Sequence, residues 1–123
     1  MQSVTINIGA NANKYWASLQ FTDRQGRVHE KKIERDHEGT RNGNCLLAAA
    51  EGFRALNRPC MVTVNTDCDY ITYAYKNGWV TEWEQNGWKR ANGGELKNAD
   101  AWQALQEAKA PHSVRFVLTK GGR

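Results

Sequence analysis

The chain has 123 residues, 40% of them hydrophobic and 24% charged, with 17 Lys+Arg against 13 Asp+Glu for a net charge of +4. That composition excludes a disordered or collagen-like chain and fits one domain over residues 1–123. No apolar run reaches the roughly 18 residues of a spanning helix, and Met1–Ile6 lacks a basic-then-apolar leader, so the expectation is a cytoplasmic protein with no membrane partner. The positive excess is spread thinly over both halves, which permits an anionic partner without demanding one. Cys45, Cys60 and Cys68 are odd in number, contain no Cys-x-x-Cys pair and have no clustered histidines beside them. They read as reduced, packed thiols rather than a disulfide framework or a zinc site.

Val4 to Ile8 alternates apolar and polar and then meets Gly9, which predicts a strand ending in a glycine turn. Tyr15 to Phe21 reads as a second strand, and Thr22 to Gly26 as a hairpin connection in which glycine supplies a positive φ. Arg27 to Ile33 returns as a weakly patterned strand, expected at an exposed edge. Asp36 to Asn44 is polar and reads as a loop. Leu46, Leu47, Ala49, Ala50, Phe53 and Leu56 then recur at helical spacing, predicting a helix over 43–57 capped by Asn42 or Asn44. Pro59 stops it.

Met61 to Asn65 is a short apolar strand, and Thr66-Asp67-Cys68-Asp69 opens the next helix. Residues 69–77 and 79–86 read as two short helices broken at Asn77-Gly78 and Asn86-Gly87. Asn98 caps a helix that ends before Pro111, Ser113 to Leu118 is a last strand, and Lys120 to Arg123 is a frayed end. Strand, helix, strand in succession is the βαβ pattern of a partly parallel α/β sheet.

Two blocks are more specific. One is Val62-Thr63-Val64-Asn65-Thr66-Asp67, an apolar strand ending in Thr-Asp. The other runs from Gly78-Trp79 through Trp83 and Gly87-Trp88-Lys89-Arg90 to Lys97-Asn98-Ala99-Asp100-Ala101-Trp102. Together they resemble the type 1 ribonuclease H family over roughly residues 2–122, most closely from 60 to 118. The resemblance implies a mixed five-stranded sheet in the order 3-2-1-4-5 with helices on both faces. Strands 1, 4 and 5 would be parallel and strand 2 antiparallel to strand 1. It also implies cleavage of the RNA strand of an RNA–DNA hybrid by carboxylates that hold two Mg²⁺ ions.

Position by position, the resemblance keeps little of that machinery. The strand-1 carboxylate falls at Ile8-Gly9-Ala10 and is absent. The helix carboxylate falls on Cys45 and is absent. Asp67 is retained, as a vestigial catalytic and weak metal candidate. The C-terminal helix with the last carboxylate is missing, and the Lys-Gly-His segment reads Lys120-Gly121-Gly122. The implication is a pseudoenzyme that needs no cofactor, with Mg²⁺ only if it is active after all. Asp67 reads equally well as a helix cap. Asp69 and Glu51 are possible substitutes around one metal, although helical geometry turns Glu51 away from Asp67.

The family's binding face maps onto Thr40 at a phosphate pocket, Arg41-Asn42 at a two-asparagine turn, Trp79 and Trp83 on the aromatic helix, and Lys89 and Arg90 in the basic loop. Each tryptophan has a competing reading as core, and Cys68 one as packing. Three functions follow. The first is a nucleic-acid-binding domain for hybrid or other duplexes. The second is a protein-interaction or inhibitor module of a phage or mobile element, with a protein partner. The third is an active metal-dependent hybrid endoribonuclease.

Overall fold

A computed structural model describes residues 1–90 and 92–119. Lys120-Gly121-Gly122 and the frayed end expected there lie outside the described residues. The elements are β1 (Gln2–Ala10), β2 (Lys14–Thr22), β3 (Val28–Asp36), α1 (Arg41–Arg54), β4 (Cys60–Thr66), α2 (Asp69–Lys76), α3 (Trp79–Gln85), α4 (Ala99–Lys109) and β5 (Ser113–Leu118). The sheet order is β3-β2-β1-β4-β5, as the resemblance implies. β1 and β2 are antiparallel, β4 lies parallel to β1 with Ser3 opposite Met61 and Ile8 opposite Thr66, and β5 lies parallel to β4.

The period-2 pattern decides which sheet face is buried. Val4, Ile6 and Ile8, Tyr15, Ala17 and Leu19, and Val62 and Val64 point inward and are buried. α1 lies directly on this face because its contact side is small: Ala48, Ala49 and Ala50 are fully buried, and a Cβ added at Gly52 would stand 3.1 Å from Ile6 Cγ2. Trp102 of α4 fills the space between helices. It is fully buried against Tyr70, Tyr75 and Trp83, with its indole N–H donated to Tyr70 OH at 2.9 Å. α1 packs on β1 and β2 and against α4, and α2 reaches β5. Outward positions such as Ser3, Thr5, Asn7, Ser18, Gln20 and Thr63 offer no apolar stripe to bury.

Several local expectations shift. β1 runs through Gly9 instead of turning there, because Gly9 pairs with Trp16. α1 starts at Arg41, and its cap is Thr40 rather than Asn42 or Asn44: Thr40 is extended and its Oγ1 accepts the Gly43 N–H at 3.0 Å. The last part of the expected 36–44 loop is thus helical. The hairpin at Asp23–Gly26 is as expected, with Gly26 at φ 81° and Asp23 Oδ1 accepting the Gln25 and Arg27 N–H groups. β3 lies at the edge, its charged side chains exposed.

Candidate functional site

The C-terminal ends of β1 and β4 meet the N-termini of α1 and α2 at one end of the sheet. Three connections hold this end together. Asn11 closes the β1–β2 hairpin by accepting the Asn13 and Lys14 N–H groups at 2.8 and 2.9 Å. The backbone N–H groups of His37 and Gly39 reach Asn13 O and Ala12 O, both at 2.8 Å. Buried Asn44 ties the two loops to α1, donating to Asn11 O and His37 O while His37 Nδ1 stands 2.9 Å from its Oδ1. Sequence reading missed this role for Asn44. The only signal available was a polar residue on the apolar side of the helix.

Asp67 follows β4. It does not cap α2; Cys68 holds that position, without a side-chain cap bond. The Asp67 carboxylate instead accepts from Arg41 Nη2 at 2.7 Å. Arg41 thus places a guanidinium against the one retained carboxylate. Asn42, next in the helix, faces Cys68, whose Sγ stands 3.6 Å from Asn42 Oδ1. Cys45, in the same helix, is fully buried. Cys45, the Ile71 and Tyr70 N–H groups and Arg41 lower the Cys68 thiol below its ordinary range against the opposing effect of burial. Cys68 and burial raise the Cys45 thiol.

Gly9 shares this mouth with Asp67, Asn7, Asn65 and Trp16. The indole of Trp16 lies over it: a Cβ built on Gly9 would be 2.5 Å from Trp16 Cε2 and Nε1. Position 9 is therefore closed to any side chain in this arrangement. Glu51 is the hydrogen-bond acceptor of Tyr15 OH and the ion-pair partner of Arg35, so it is committed elsewhere. Burial and Glu51 together push the Tyr15 hydroxyl up to about 12. Asp69 is an exposed first-turn residue of α2.

These residues do not fit Mg²⁺. The ion needs several hard oxygen ligands. Among the described residues no three His, Cys, Asp or Glu side chains converge. The arrangement of Asp67, Asp69 and Glu51 around one metal is not assembled.

A groove of about 850 Å³ runs beside this mouth, lined by His37, Thr40, Asn44, Trp88, Lys89 and Asn98 among others. Two of its residues, Trp88 and Asn98, have φ 63° without being glycine. Such backbone costs about 1–3 kcal/mol and persists where packing over-determines it. Here the Trp88 N–H is held by Trp83 O at 2.7 Å. Asn98 holds the N-cap position of α4, as expected, but without a side-chain cap bond: its carbonyl accepts the Trp102 N–H at 2.9 Å and its side chain turns to Tyr70 OH at 3.5 Å. Thr40 and Lys89 share this groove, while Arg90, Trp79 and Trp83 line a second, smaller one with Lys97. Trp83 is half-buried against Trp102, and Trp79 is 42% exposed.

The comparisons agree with this architecture. The RNase H family model matches residues 7–122. A ribonuclease H of Thermus thermophilus is 41% identical over 107 residues, which are 86% of this chain and 62% of the relative. The chain thus spans about three fifths of the length of that relative. LC9-RNase H1, described as a type 1 RNase H with the type 2 active-site motif, superposes with a TM-score of 0.85 at 22% identity over 99% of this chain and 64% of its own. A foamy viral protease-reverse transcriptase solved in complex with RNA/DNA hybrid gives 0.67 at 16% identity, covering 96% of this chain and 17% of that one. The sheet order, the Thr66-Asp67 strand end and these matches together place the chain in the ribonuclease H family.

Proposed function

We propose that this chain is a ribonuclease H-like nucleic-acid-binding domain that does not cleave RNA–DNA hybrids. The observation that carries the reading is the 2.7 Å pair between Arg41 and Asp67. An arginine on the last retained carboxylate supplies by itself the positive charge that a metal would otherwise bring. Gly9 beneath Trp16 and the buried thiol of Cys45 support the same reading, because neither position offers a hard ligand. Hybrid as the partner is supported by the hybrid-bound reverse transcriptase of the same fold. The contact face comprises Thr40, Arg41, Asn42, Trp79, Trp83, Lys89 and Arg90, with backbone contacts that position the duplex without reading bases.

The test has two arms. Incubation of a labelled hybrid with Mg²⁺ yields no cleavage; turnover that Asp67→Asn abolishes refutes the inactive reading. Hybrid binding is weak, falls with salt in proportion to the few phosphates neutralised, and weakens alike for all sequences in Arg41→Ala/Lys89→Ala. No binding of hybrid, duplex RNA or duplex DNA at low salt refutes the nucleic-acid reading. A second reading, a protein-interaction or inhibitor module of a phage or mobile element, is favoured by the charge of residues 79–100. There Lys89, Arg90 and Lys97 are outnumbered by Glu82, Glu84, Glu95 and Asp100, while Trp79 stays 42% exposed. Failure of both binding and cleavage selects that reading.

A further inference from the structure

Among the described residues β5 ends the sheet and pairs with β4 alone. The Thr119 N–H is donated to Thr66 O at 2.8 Å, which carries the parallel ladder one residue past β5. The N–H and C=O of one strand residue point to the same side, and the sides alternate along the chain. Residues 113, 115, 117 and 119 therefore face β4, while Val114, Phe116 and Leu118 turn their N–H and C=O groups to the open edge. Among the described residues no loop or cap hydrogen bond reaches those groups. The side chains of the same three residues share the inward face with Val62 and Val64. Phe116 stacks on Tyr75 of α2 at 4.6 Å, and Leu118 stays 41% exposed. The opposite edge is built differently. β3 carries Glu30, Lys31, Lys32, Glu34, Arg35 and Asp36, a pattern that discourages strand pairing, whereas Arg115 is the one charge of β5.

We propose that the β5 edge is an interaction surface for a second copy of this chain, the two β5 strands pairing antiparallel about a two-fold axis at Phe116 to make a sheet continuous through both copies. A two-fold axis normal to the sheet keeps each residue on its own face, so opposed residue numbers differ by an even amount. With the axis at Phe116, that residue opposes its own copy, and Val114 opposes the second copy's Leu118. In the hydrogen-bonded pairs of an antiparallel ladder the two residues exchange both bonds. Every outward N–H and C=O of the two edges is then satisfied. Centring on any other β5 residue leaves Val114 or Leu118 without a β5 partner, and centring on Arg115 also sets two guanidinium groups opposite one another. At Phe116, Arg115 faces Val117 on the outward side, and the inward row of Val114, Phe116 and Leu118 gains an apolar cross-strand partner at each position. The ladder is short, six residues or about 20 Å, so association is reversible and depends on concentration. The proposal is independent of nucleic-acid binding, because it uses no residue of that contact face.

Sedimentation equilibrium of the full chain over a wide concentration range is the test. The expected weight-average mass rises from one chain towards two with concentration and falls back on dilution. Leu118→Pro removes one outward N–H per chain and breaks no bond to β4. It is expected to weaken the dimer by about tenfold or more, with far-UV circular dichroism like that of the parent. Val117→Lys, on the outward face, sets like charges against Arg115 and is expected to weaken the dimer in a way that salt relieves. Register is read by disulfide trapping in a glutathione redox buffer. Arg115→Cys mixed with Val117→Cys is expected to cross-link the two proteins, since opposed residues of a non-hydrogen-bonded pair lie about 4.5 Å apart, and neither protein cross-links alone. A mass of one chain at the highest soluble concentration overturns the proposal. So does a dimer that both Leu118→Pro and Val117→Lys leave intact, or cross-linking by Arg115→Cys alone as strongly as by the mixture. Val117→Lys decides the edge if the proline variant fails to fold.

Discussion

Trp16 closes the strand-1 position by standing on it, and that block is measurable. A Cβ at Gly9 would lie 2.5 Å from the indole Cε2. Carbon atoms in contact rest about 3.5–4.0 Å apart, so the ring must retreat by about 1 Å. Trp16 is 36% exposed, and the ring escapes outward more easily than β1 and β2 separate. The overpacking cost of Gly9→Ala therefore falls in the lower part of the usual range, about 1–2 kcal/mol. Displacing the ring also gives up the Lys14 ammonium 5.6 Å from its centroid, about 0.5 kcal/mol at an exposed site. With the ring removed by Trp16→Ala, the same Gly9→Ala change is neutral or stabilising by roughly 0.5 kcal/mol, since glycine weakens a strand interior.

Urea denaturation of the parent, both single variants and the double variant, followed by far-UV circular dichroism, gives the coupling directly. The expected coupling is about 1.5–2.5 kcal/mol in favour of the double variant, the overpacking and cation–π contributions together. Equal costs for Gly9→Ala with and without Trp16 refute the steric argument. The same logic extends to metal binding. Gly9→Asp alone gains no Mn²⁺ by calorimetry. Gly9→Asp with Trp16→Ala, Arg41→Asn and Cys45→Glu removes the ring and the guanidinium, supplies carboxylates, and binds the ion. Tight Mn²⁺ binding by the parent chain refutes the reasoning at its root.

Two further outcomes concern protonation. His112 stacks on Phe53 and its Nδ1 accepts the Cys60 N–H at 3.1 Å, and burial holds its pKa below the ordinary 6.5. The folded state then binds fewer protons than the unfolded chain, so stability is full above pH 6.5 and declines as pH falls through the lowered value. His112→Asn keeps an acceptor, and urea midpoints between pH 7 and 5 are expected to lose this part of their slope. Tyr15 behaves oppositely: its hydroxyl is raised to about 12, so its contribution is complete below the ordinary 10.0 and is lost as pH rises from there through 12. Tyr15→Phe strands the Glu51 carboxylate on Arg35 alone and is expected to cost about 1–2 kcal/mol at neutral pH in the same denaturation assay.

The strands and the main helix were legible in the sequence because each rests on a local period, while the sheet order came with the family resemblance. Val4, Ile6 and Ile8 alternate, and Leu46, Ala49, Ala50 and Phe53 recur at helical spacing. The absence of carboxylates at Gly9 and Cys45 was equally legible, since it concerns identities. What fills those positions was not. That Trp16 lies over Gly9 follows from the β1–β2 register, and that Arg41 turns to Asp67 follows from where α1 sits on the sheet. Thr40 took the cap expected of Asn42 or Asn44 because a cap is decided by where the backbone leaves the extended region, while Asn44 was drawn into the loop contacts with Asn11 and His37. Local patterns fix elements through short-range sterics and burial, while pairings between residues distant in sequence exist only once those elements have packed.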